Sequence, residues 1–251
     1  MNLLDNTLPL PAPGMALFLD FDGTLVELAP QPEAVVVSPL LTGTLAGLYQ
    51  QLGGALALVS GRRLIDVDSF LAPLQLPAAG EHGAQRRSAD GLLISAPATD
   101  LTPALQAAQA LALLHPDLRL EQKTLALSLH YRQAPELAGL CLQIMRLALQ
   151  DSNALELMQG KFVIDVKPVG VSKGTAIAAF MAEVPFAGRV PVFAGDDATD
   201  EDGFEQVQRL GGYAIKVGPG PTCARHRCAS VAALLVWLQA FHTGRAERLK
   251  A

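Results

Sequence analysis

The sequence predicts an α/β fold in which a parallel-sheet core is interrupted by a smaller α+β unit. Short apolar runs alternate with stretches of helical length near both ends of the chain, a pattern typical of parallel strands joined by crossover helices. Between residues 97 and 167 the predicted order becomes α-β-β-α-β-β, which indicates a two-layer insertion with both helices on one face of a sheet. We therefore predict a discontinuous, Rossmann-like core made of residues 1–96 and 168–251.

The first half of the core begins with an apolar run at residues 16–19, closed at once by a turn. Such a run suits a buried strand, although the periodicity of so short a segment also allows a helix. Ser38 and Pro39 are a good N-cap and first-turn pair for a helix that runs to Gln50. The other strands expected here are bounded by glycine or turn residues: 54–60, a short piece ending at Gly80, and a hairpin of 85–87 with 92–94 around Asp90-Gly91.

The insertion and the second half of the core follow the same logic. In the insertion, helices are predicted over 102–115 and 135–150, and strands over 118–121, 124–132, 154–158 and 161–166. In the core, Ser172 caps a helix that runs to Met181, and a buried strand follows at 190–194. Thr199 is expected to cap the next helix, whose apolar face would hold Phe204, Val207 and Leu210 before Gly211-Gly212 ends it. A strand at 213–217 and a helix at 231–241 complete the chain.

Composition excludes several classes of protein. The chain has 251 residues, of which 50% are hydrophobic and 17% charged, so disorder is not expected. A net charge of −5 without a basic stripe argues against nucleic acid as a partner, and no apolar run approaches the roughly 20 residues of a membrane helix. The Met1–Pro13 segment is too short and proline-rich for a signal peptide. These properties predict a cytoplasmic protein. A monomer is expected, although no feature of the composition indicates the oligomeric state.

The three cysteines support that compartment, because an odd number suggests reduced thiols. Cys223 and Cys228 bracket His226, but the spacing lacks a second pair of ligands. We therefore expect no structural zinc site there.

Polar side chains stand at the ends of the predicted core strands or at the start of a helix. In a doubly wound sheet such positions converge on one crevice. They are Asp20 and Asp22 after the first strand, Ser60 at the end of the second, Lys173 at a helix start, and Asp196, Asp197 and Asp200 after the strand at 190–194.

The carboxylates suit a metal-assisted reaction. Asp20, Asp22 and Asp196 offer hard oxygen ligands to Mg²⁺, which would also relieve the repulsion between two carboxylates so close in sequence. One Asp could attack a phosphoryl group and form an aspartyl-phosphate, while a second protonates the leaving oxygen and then activates water.

The other polar groups suit an anion. Ser60 and the backbone amide of Gly61 can donate hydrogen bonds to a phosphate, and Lys173 adds positive charge where the helix dipole already favours anions. Each residue alone also fits a structural role: Asp22-Gly23 is a common turn pair, Ser60 a possible turn residue, Lys173 a possible solvated lysine, and the later acidic residues possible helix caps. Their joint occurrence favours catalysis.

These sites match a known group of enzymes. Asp20-Phe21-Asp22-Gly23-Thr24, the Ser60 and Lys173 sites and Gly195-Asp196-Asp197 resemble the four motifs of the haloacid dehalogenase superfamily, and the insertion resembles its C2-type cap. Further segments resemble bacterial trehalose-6-phosphate phosphatases over about residues 16–237: 59–62, 81–83, 129–132, 160–168, 171–174 and 195–201. The resemblance implies Mg²⁺-dependent hydrolysis of trehalose 6-phosphate, the last step of trehalose synthesis.

The resemblance also implies roles for particular residues. Asp20 would be the nucleophile and Asp22 the general acid and base. Mg²⁺ would be held by Asp20, the backbone carbonyl of Asp22 and Asp196, supported from behind by Asp197 and Asp200. Phosphate would lie on Ser60, Gly61 and Lys173. Substrate contacts are implied for Arg62, His82, Gly83, Glu121, Lys123, His130, Arg132, Lys161 and Asp165.

Two of these assignments have alternatives. Asp165 stands where the family usually has Glu, so a bridging water is an alternative to direct sugar contact. His130 and Arg132 match a family motif, but they fit support of the sheet as well as contact with a ligand.

Strand alternation predicts how the insertion meets the crevice. Its apolar sides should pack beneath the two helices, and its polar sides should either cover the crevice or face solvent. The predicted polar side carries Arg119, Glu121, Lys123, Ser128, His130, Arg132, Lys161 and Asp165; the apolar side carries Leu118, Leu120, Leu125, Leu127, Leu129, Tyr131, Phe162, Ile164 and Val166.

The sequence leaves rival functions open. A phosphatase for another sugar phosphate, of the sucrose-phosphate or mannosylglycerate-phosphate type, would use a similar insertion. In a sugar phosphomutase the phosphoryl group would pass to a sugar rather than to water. A catalytically silent sugar-phosphate sensor is the third alternative, and the intact Asp20/Asp22 pair argues against it.

Overall fold

The computed structural model describes residues 8, 9, 12, 14–29 and 31–243. Most of the Met1–Pro13 segment, on which the argument against a signal peptide rests, lies outside the described residues. None of the described helices is long and apolar enough to cross a membrane.

The larger sheet has eight strands in the order β12-β11-β10-β1-β2-β3-β4-β5. Strands β12 to β3 run parallel, and β4 and β5 are added antiparallel as the predicted hairpin. The parallel α/β core is therefore confirmed. The strands are β1 (Met15–Leu19), β2 (Leu56–Val59), β3 (Ala78–Gly80), β4 (Gln85–Arg87), β5 (Leu93–Ser95), β10 (Val190–Gly195), β11 (Tyr213–Val217) and β12 (His226–Cys228).

Helices cover the sheet and bury its central strands. All five residues of β1 are buried, as expected for a parallel strand covered on both faces. Phe18 of this strand lies 5.9 Å from the ring of Phe180 and 5.4 Å from that of Phe186. The core helices are α1 (Pro39–Gln51), α2 (Leu64–Leu71), α5 (Lys173–Met181), α6 (Glu201–Arg209) and α7 (Val231–His242). Helix α2 and strand β12 were not predicted.

The prediction for the start and end of α6 is wrong in two respects. Asp197, rather than Thr199, is the capping residue, because its carboxylate accepts the Thr199 amide at 2.7 Å and a 3-10 turn over Ala198–Asp200 precedes the helix. Leu210 lies beyond the last helical residue and is 45% exposed, so only Phe204 and Val207 of the predicted apolar face are buried.

The insertion forms a second, antiparallel sheet of order β6-β7-β9-β8 with its own hydrophobic cluster. The predicted order of elements is confirmed, with bounds α3 (Thr102–Leu114), β6 (Arg119–Gln122), β7 (Leu127–His130), α4 (Ala138–Ala148), β8 (Leu155–Gly160) and β9 (Val163–Pro168). Strand β9 thus ends one residue after the boundary that we placed at 167. The division of the chain into the two units at these boundaries remains a prediction.

Two turns of the insertion differ from the prediction. Phe162 was expected on the apolar side of a strand, but Lys161 and Phe162 form the tight turn between β8 and β9, where Phe162 has φ 66° and is 37% exposed. A positive φ lies outside the extended region that a strand requires, so Phe162 cannot continue the strand. Leu125 was expected within a strand, but it lies in the turn at 123–126 that precedes β7.

Candidate active site

A cavity of about 420 Å³ lies between the carboxyl ends of the core strands and the polar side of the insertion. It brings together residues predicted from distant parts of the chain. From the core these are Asp20, Asp22, Ser60, Gly61, Arg62, His82, Lys173, Asp196 and Asp197; from the insertion they are Glu121, Lys123, His130, Arg132, Lys161 and Asp165.

Two of the predicted residues lie outside this lining. Asp200 sits just behind it, fully buried. Gly83 packs beneath it, with φ +107°, and a Cβ there would come within 2.7 Å of the Ser172 carbonyl oxygen. Gly83 therefore serves close packing of the backbone and makes no lining contact.

Asp20 is joined to Lys173 at the centre of the cavity floor. Lys173 Nζ lies 2.7 Å from Asp20 Oδ1 and 2.6 Å from Asp200 Oδ1, and all three side chains are buried. Lys173 opens α5, whose N-terminus is fixed by a capping box between Ser172 and Thr175. Burial alone would lower the pKa of Lys173, but Asp20 and Asp200 outweigh it and raise that pKa above its ordinary value of 10.5. Lys173 is therefore a permanent cation.

The carboxylates around this lysine carry more charge than it can balance. Burial raises the pKa of Asp20 well above its ordinary value; Lys173 opposes this, while Asp200 and Asp196 add to it. Burial and the neighbouring carboxylates of Asp200 and Asp197 raise the pKa of Asp196 to about 7. A bound cation would favour the ionised form of each group.

The geometry of the cluster fits such a cation. Asp20, Asp196 and Asp200 each offer one carboxylate oxygen, and these oxygens lie within 4.8 Å of one another. Gly23 permits the approach, because a Cβ there would lie only 2.2 Å from Asp196 Oδ2. Hard oxygen donors in this number suit a divalent ion such as Mg²⁺. Asp200 already accepts hydrogen bonds from Lys173 and from the Asp196 and Asp197 amides at 2.9 and 3.0 Å.

A second buried cation, Lys216, contacts the loop that carries Asp196; no sequence motif indicated this contact. Lys216, on β11, donates a hydrogen bond to the Asp196 carbonyl oxygen and is buried. The only available signal was a lysine inside an otherwise apolar strand. Lys216 therefore fixes the backbone of the Asp196 loop.

Arg62 occupies the other side of the floor and pairs with Asp22. Its Nε and Nη2 atoms lie 2.6 and 2.7 Å from the two Asp22 carboxylate oxygens. The guanidinium also lies over the rings of Phe21 and Phe70, at 5.6 and 4.9 Å from their centroids. Ser60 Oγ accepts the Arg62 amide at 3.2 Å, so the same turn presents Ser60 and Arg62 to the cavity.

The opposite wall, on the insertion, is a network of paired polar groups. Glu121 Oε2 lies 2.9 Å from His130 Nε2, and Lys123 Nζ donates to the Gly61 carbonyl oxygen at 2.8 Å. Burial opposes ionisation of Glu121, but His130 and Lys123 outweigh it and lower the pKa of that carboxyl. The polar side of the insertion therefore covers the crevice and is not a free solvated surface.

Asp165 lies at the base of this wall. It is 2% exposed, and it accepts a hydrogen bond from Ser128 Oγ, with His82 Nε2 at 3.3 Å and Lys123 Nζ at 3.5 Å. Although burial opposes it, Lys123 and His82 lower the pKa of Asp165 below its usual range. Burial lowers the pKa of His82, despite Asp165 beside it.

Part of the lining was not predicted. The loop after β1 and the segment before β6 form the far end of the cavity, where Glu33 and Arg119 form an ion pair. Apart from Arg119, these segments carry no motif that indicates a role in a site. Arg119, which was expected on the polar side of the insertion, lies in this lining. The lining residues that were not predicted are Leu28, Ala29, Gln31, Pro32, Val35, Pro116, Asp117, Leu118, Gln133, Val163 and Thr199.

A doubly wound core with an acidic crevice at its carboxyl edge, covered by an inserted α+β unit, defines a phosphatase fold of the haloacid dehalogenase superfamily. Among solved structures, the chain resembles the C-terminal domain of Candida albicans trehalose-6-phosphate phosphatase with a TM-score of 0.82 at 22% identity, over 91% of this chain and 92% of that one. It also resembles a trehalose-6-phosphate phosphatase related protein with a TM-score of 0.71 at 26% identity, over 92% and 99% of the two chains.

Sequence comparison gives the family. The trehalose-phosphatase family model matches residues 18–234. The trehalose-6-phosphate phosphatase of Escherichia coli strain K12 is 44% identical over 233 residues, which is 91% of this chain and 86% of the relative. A probable trehalose-phosphate phosphatase of Sinorhizobium fredii is 43% identical over 206 residues, 81% and 78% of the two chains. The chain belongs to the trehalose-phosphatase family, which confirms the resemblance and the predicted enzyme class.

Proposed function

We propose that this chain hydrolyses trehalose 6-phosphate to trehalose and phosphate, with Mg²⁺ as cofactor and an aspartyl-phosphate on Asp20 as the intermediate. The observation that carries the proposal is the position of the Asp20 carboxylate, 2.7 Å from Lys173 Nζ and beside Asp196, on the floor of a cavity with a polar roof. The substrate is supported by the relatives, which are named trehalose-6-phosphate phosphatases, and by the carboxylate and ammonium groups that Glu121 and Lys123 place in the roof.

In the first step, a carboxylate oxygen of Asp20 attacks phosphorus and the bond from phosphorus to the sugar oxygen breaks. Asp22 donates a proton to that leaving oxygen. Lys173, Ser60 and the Gly61 amide stabilise the charge on the phosphoryl oxygens. Bound Mg²⁺, held by Asp20, the Asp22 backbone carbonyl and Asp196, would supply further positive charge at the same oxygens.

In the second step, Asp22, now a carboxylate, accepts a proton from water while the water oxygen attacks phosphorus. The bond between phosphorus and Asp20 breaks, which releases phosphate and restores the free Asp20 carboxylate. Asp197 and Asp200 support the cation site, since both fix the loop that carries Asp196.

The insertion, in this proposal, is a cap domain of residues 97–167 that recognises the sugar. Glu121 and Lys123 offer an acceptor and a donor to sugar hydroxyls, and the cap excludes water from the reaction. Further contacts are proposed for the other polar lining residues: Arg62, His82, His130, Arg132 and Lys161. The monomeric state and the absence of nucleic acid partners stay predictions.

A phosphate-release screen tests the proposal. Trehalose 6-phosphate, sucrose 6-phosphate, mannosylglycerate phosphate and glucose 6-phosphate are compared, each with Mg²⁺ and with a chelator. We expect release that depends on Mg²⁺ and is fastest for trehalose 6-phosphate. The Asp20→Asn variant should lose activity by several orders of magnitude, about 10⁴-fold, whereas Asp151→Asn, on an exposed turn, should not.

Other outcomes identify the alternatives. Faster release from sucrose 6-phosphate or mannosylglycerate phosphate would overturn the substrate. Turnover that needs a sugar bisphosphate and moves phosphate between sugars would indicate a phosphomutase. Near-normal turnover by Asp20→Asn would overturn the mechanism.

A further inference from the structure

We propose that Glu81 is a positioning residue that ties the cap to the phosphate-binding turn and so couples recognition of the sugar to transfer of the phosphoryl group. The phosphate-binding turn is Ser60-Gly61-Arg62, and the cap turn is residues 123–126, which carry Lys123. The coupling rests on the proposed function of the site. The contact between Glu81 and the cap turn does not depend on that function, and it can be tested without substrate.

Glu81 is a fully buried carboxylate whose hydrogen bonds cross from the core to the cap. Its Oε1 accepts the Thr124 amide at 3.0 Å and its Oε2 accepts the Leu125 amide at 2.7 Å. The side chain is 0% exposed, and no lysine, arginine or histidine forms an ion pair with it within the described residues. The hydrogen bonds from the Thr124 and Leu125 amides therefore offset the cost of burying the Glu81 carboxylate.

The backbone at Glu81 is joined to the phosphate-binding turn. The Glu81 amide donates to the Arg62 carbonyl at 2.8 Å, and the His82 amide donates to the Ser60 carbonyl at 2.9 Å. Glu81 and His82 have φ values of 51° and 58°, a left-handed conformation that non-glycine residues rarely adopt. This conformation sends the Glu81 backbone towards one turn and its carboxylate towards the other.

Lys123 makes a second contact between the cap turn and the phosphate-binding turn. Its Nζ donates to the Gly61 carbonyl oxygen at 2.8 Å, within the same phosphate-binding turn. The cap turn is thus held at its backbone by Glu81 and at its side chain by Gly61. Opening the cap would break these three hydrogen bonds together and leave the Glu81 carboxylate to be solvated again, so Glu81 favours the closed arrangement in which Lys123 faces the sugar.

A second core carboxylate offers a matched control. Glu33 also pairs across the boundary, with Arg119 of the cap, but these side chains are 65% and 42% exposed. Exposed ion pairs contribute little to stability, so Glu33 should not control the position of the cap. Glu33→Gln and Glu81→Gln make the same chemical change at an exposed and a buried contact.

Hydrogen exchange measures the tie directly. In Glu81→Gln the side-chain NH₂ group meets an amide donor, so one hydrogen bond is lost. We expect faster amide exchange at Thr124 and Leu125. The amides of β7 (Leu127–His130) should stay protected, because β7 remains hydrogen-bonded to its neighbouring strands. Glu33→Gln should leave both segments unchanged. Unchanged exchange at the cap turn in Glu81→Gln would overturn the proposal.

Kinetics measures the coupling. For Glu81→Gln we expect kcat/KM on trehalose 6-phosphate to fall about tenfold to hundredfold, with the loss shared between KM and kcat. Turnover of p-nitrophenyl phosphate, which is too small to need the cap, should stay within about twofold. Glu81→Asp keeps the charge with a shorter reach and should lie between wild type and Glu81→Gln. Equal losses on both substrates would show a general folding role and overturn the proposal.

The hydrogen-exchange and kinetic experiments test this inference separately from the proposed function. If the wild-type chain releases phosphate only from another sugar phosphate, the substrate assignment fails, and that sugar phosphate takes its place in the kinetic arm. If Glu81→Gln does not fold, as judged by circular dichroism, Glu81→Asp decides by the same two measurements.

Discussion

Arg62 holds both carboxylate oxygens of Asp22, with its Nε and Nη2 atoms at 2.6 and 2.7 Å. Asp22 is the proposed general acid and base, and each of its oxygens already accepts one hydrogen bond from Arg62. The guanidinium is itself fixed against Phe21 and Phe70. A leaving oxygen that reaches Asp22 must therefore share or displace one of these hydrogen bonds, and Arg62 determines how the Asp22 carboxyl is aimed.

Replacing Arg62 by Lys should reduce kcat about tenfold, because a lysine makes one point contact where the guanidinium makes two in a fixed plane. The control is Arg63→Lys, which changes the neighbouring bidentate pair with Asp66 outside the cavity. Steady-state kinetics with both variants tests the prediction. Equal kcat values for Arg62→Lys and wild type would show that the pair with Asp22 does not orient the acid.

Mg²⁺ should raise the melting temperature of the wild-type chain, because a cation relieves the repulsion within the carboxylate cluster and binds only the folded state. Asp196→Asn removes one ligand and should abolish most of this increase along with phosphate release. Ca²⁺, with its larger and looser coordination shell, should restore little activity after chelation. Differential scanning fluorimetry and phosphate release measure the two effects. Full activity in excess chelator would contradict the metal assignment.

Asp165 is packed so closely that its length should matter. Asp165→Glu adds a methylene group beneath Ser128, His82 and Lys123, and overpacking of this kind costs about 1–3 kcal/mol. We expect a lower urea midpoint and weaker turnover of trehalose 6-phosphate. Adding Ser128→Ala removes the hydroxyl that contacts Asp165 and should recover part of both losses, a non-additive result. Additive losses in the double variant would show that Ser128 and Asp165 act independently.

The contribution of His82 to the free energy of unfolding should fall as pH drops below about 6.5, the ordinary pKa of histidine, because burial lowers the pKa of His82. In this range the unfolded chain binds a proton at His82 that the folded chain does not, so this contribution increases with pH. His82→Asn should remove this contribution, and His115→Asn, in a cap loop, should leave it in place. The lowered pKa of Asp165 acts in a separate window, where stability is lost as pH falls below its ordinary 3.8. Asp20 and Asp196 have raised pKa values, that of Asp196 about 7, so they act with the opposite sign in the same pH range. Urea titrations of wild type and His82→Asn between about pH 5 and 8 therefore give the His82 contribution as a difference.

The core motifs were predictable because each depends on a local pattern. The apolar run before Asp20 indicates a buried strand with the carboxylate at the sheet edge, and the similar patterns later in the chain favour this interpretation over a helix. The same holds for Ser60 after β2 and for Asp196 after β10. Their convergence follows from parallel topology alone.

What the sequence could not give are relationships that depend on the third dimension. Arg62 was predicted to contact substrate, but its pairing with Asp22 depends on how two loops face each other. A lysine inside an apolar strand marks Lys216 as unusual, but no local pattern shows what Lys216 or Glu81 contacts, because the amides and the carbonyl involved lie far away in the chain. Phe162 is a different kind of error. The regular alternation of apolar residues predicted a strand at this position, but Phe162 lies in the two-residue turn between β8 and β9.

The pairing of β1 with β10 also determines when this enzyme can become active during its synthesis. Met15 lies beside Val190 and Leu19 beside Ala194. Strand β1 can therefore pair with β10 only after all the residues between these two strands have been synthesised. The fully buried residues of the insertion's hydrophobic cluster all lie between Ala104 and Val166, and its strands pair only with one another. On the ribosome the cap can therefore fold first, as a local unit. Asp20 is translated before the cap, but it can meet Lys173 only after another 153 residues have been added, and Asp196 later still. A chain truncated before β10 would therefore carry a cap with no complete catalytic centre beneath it.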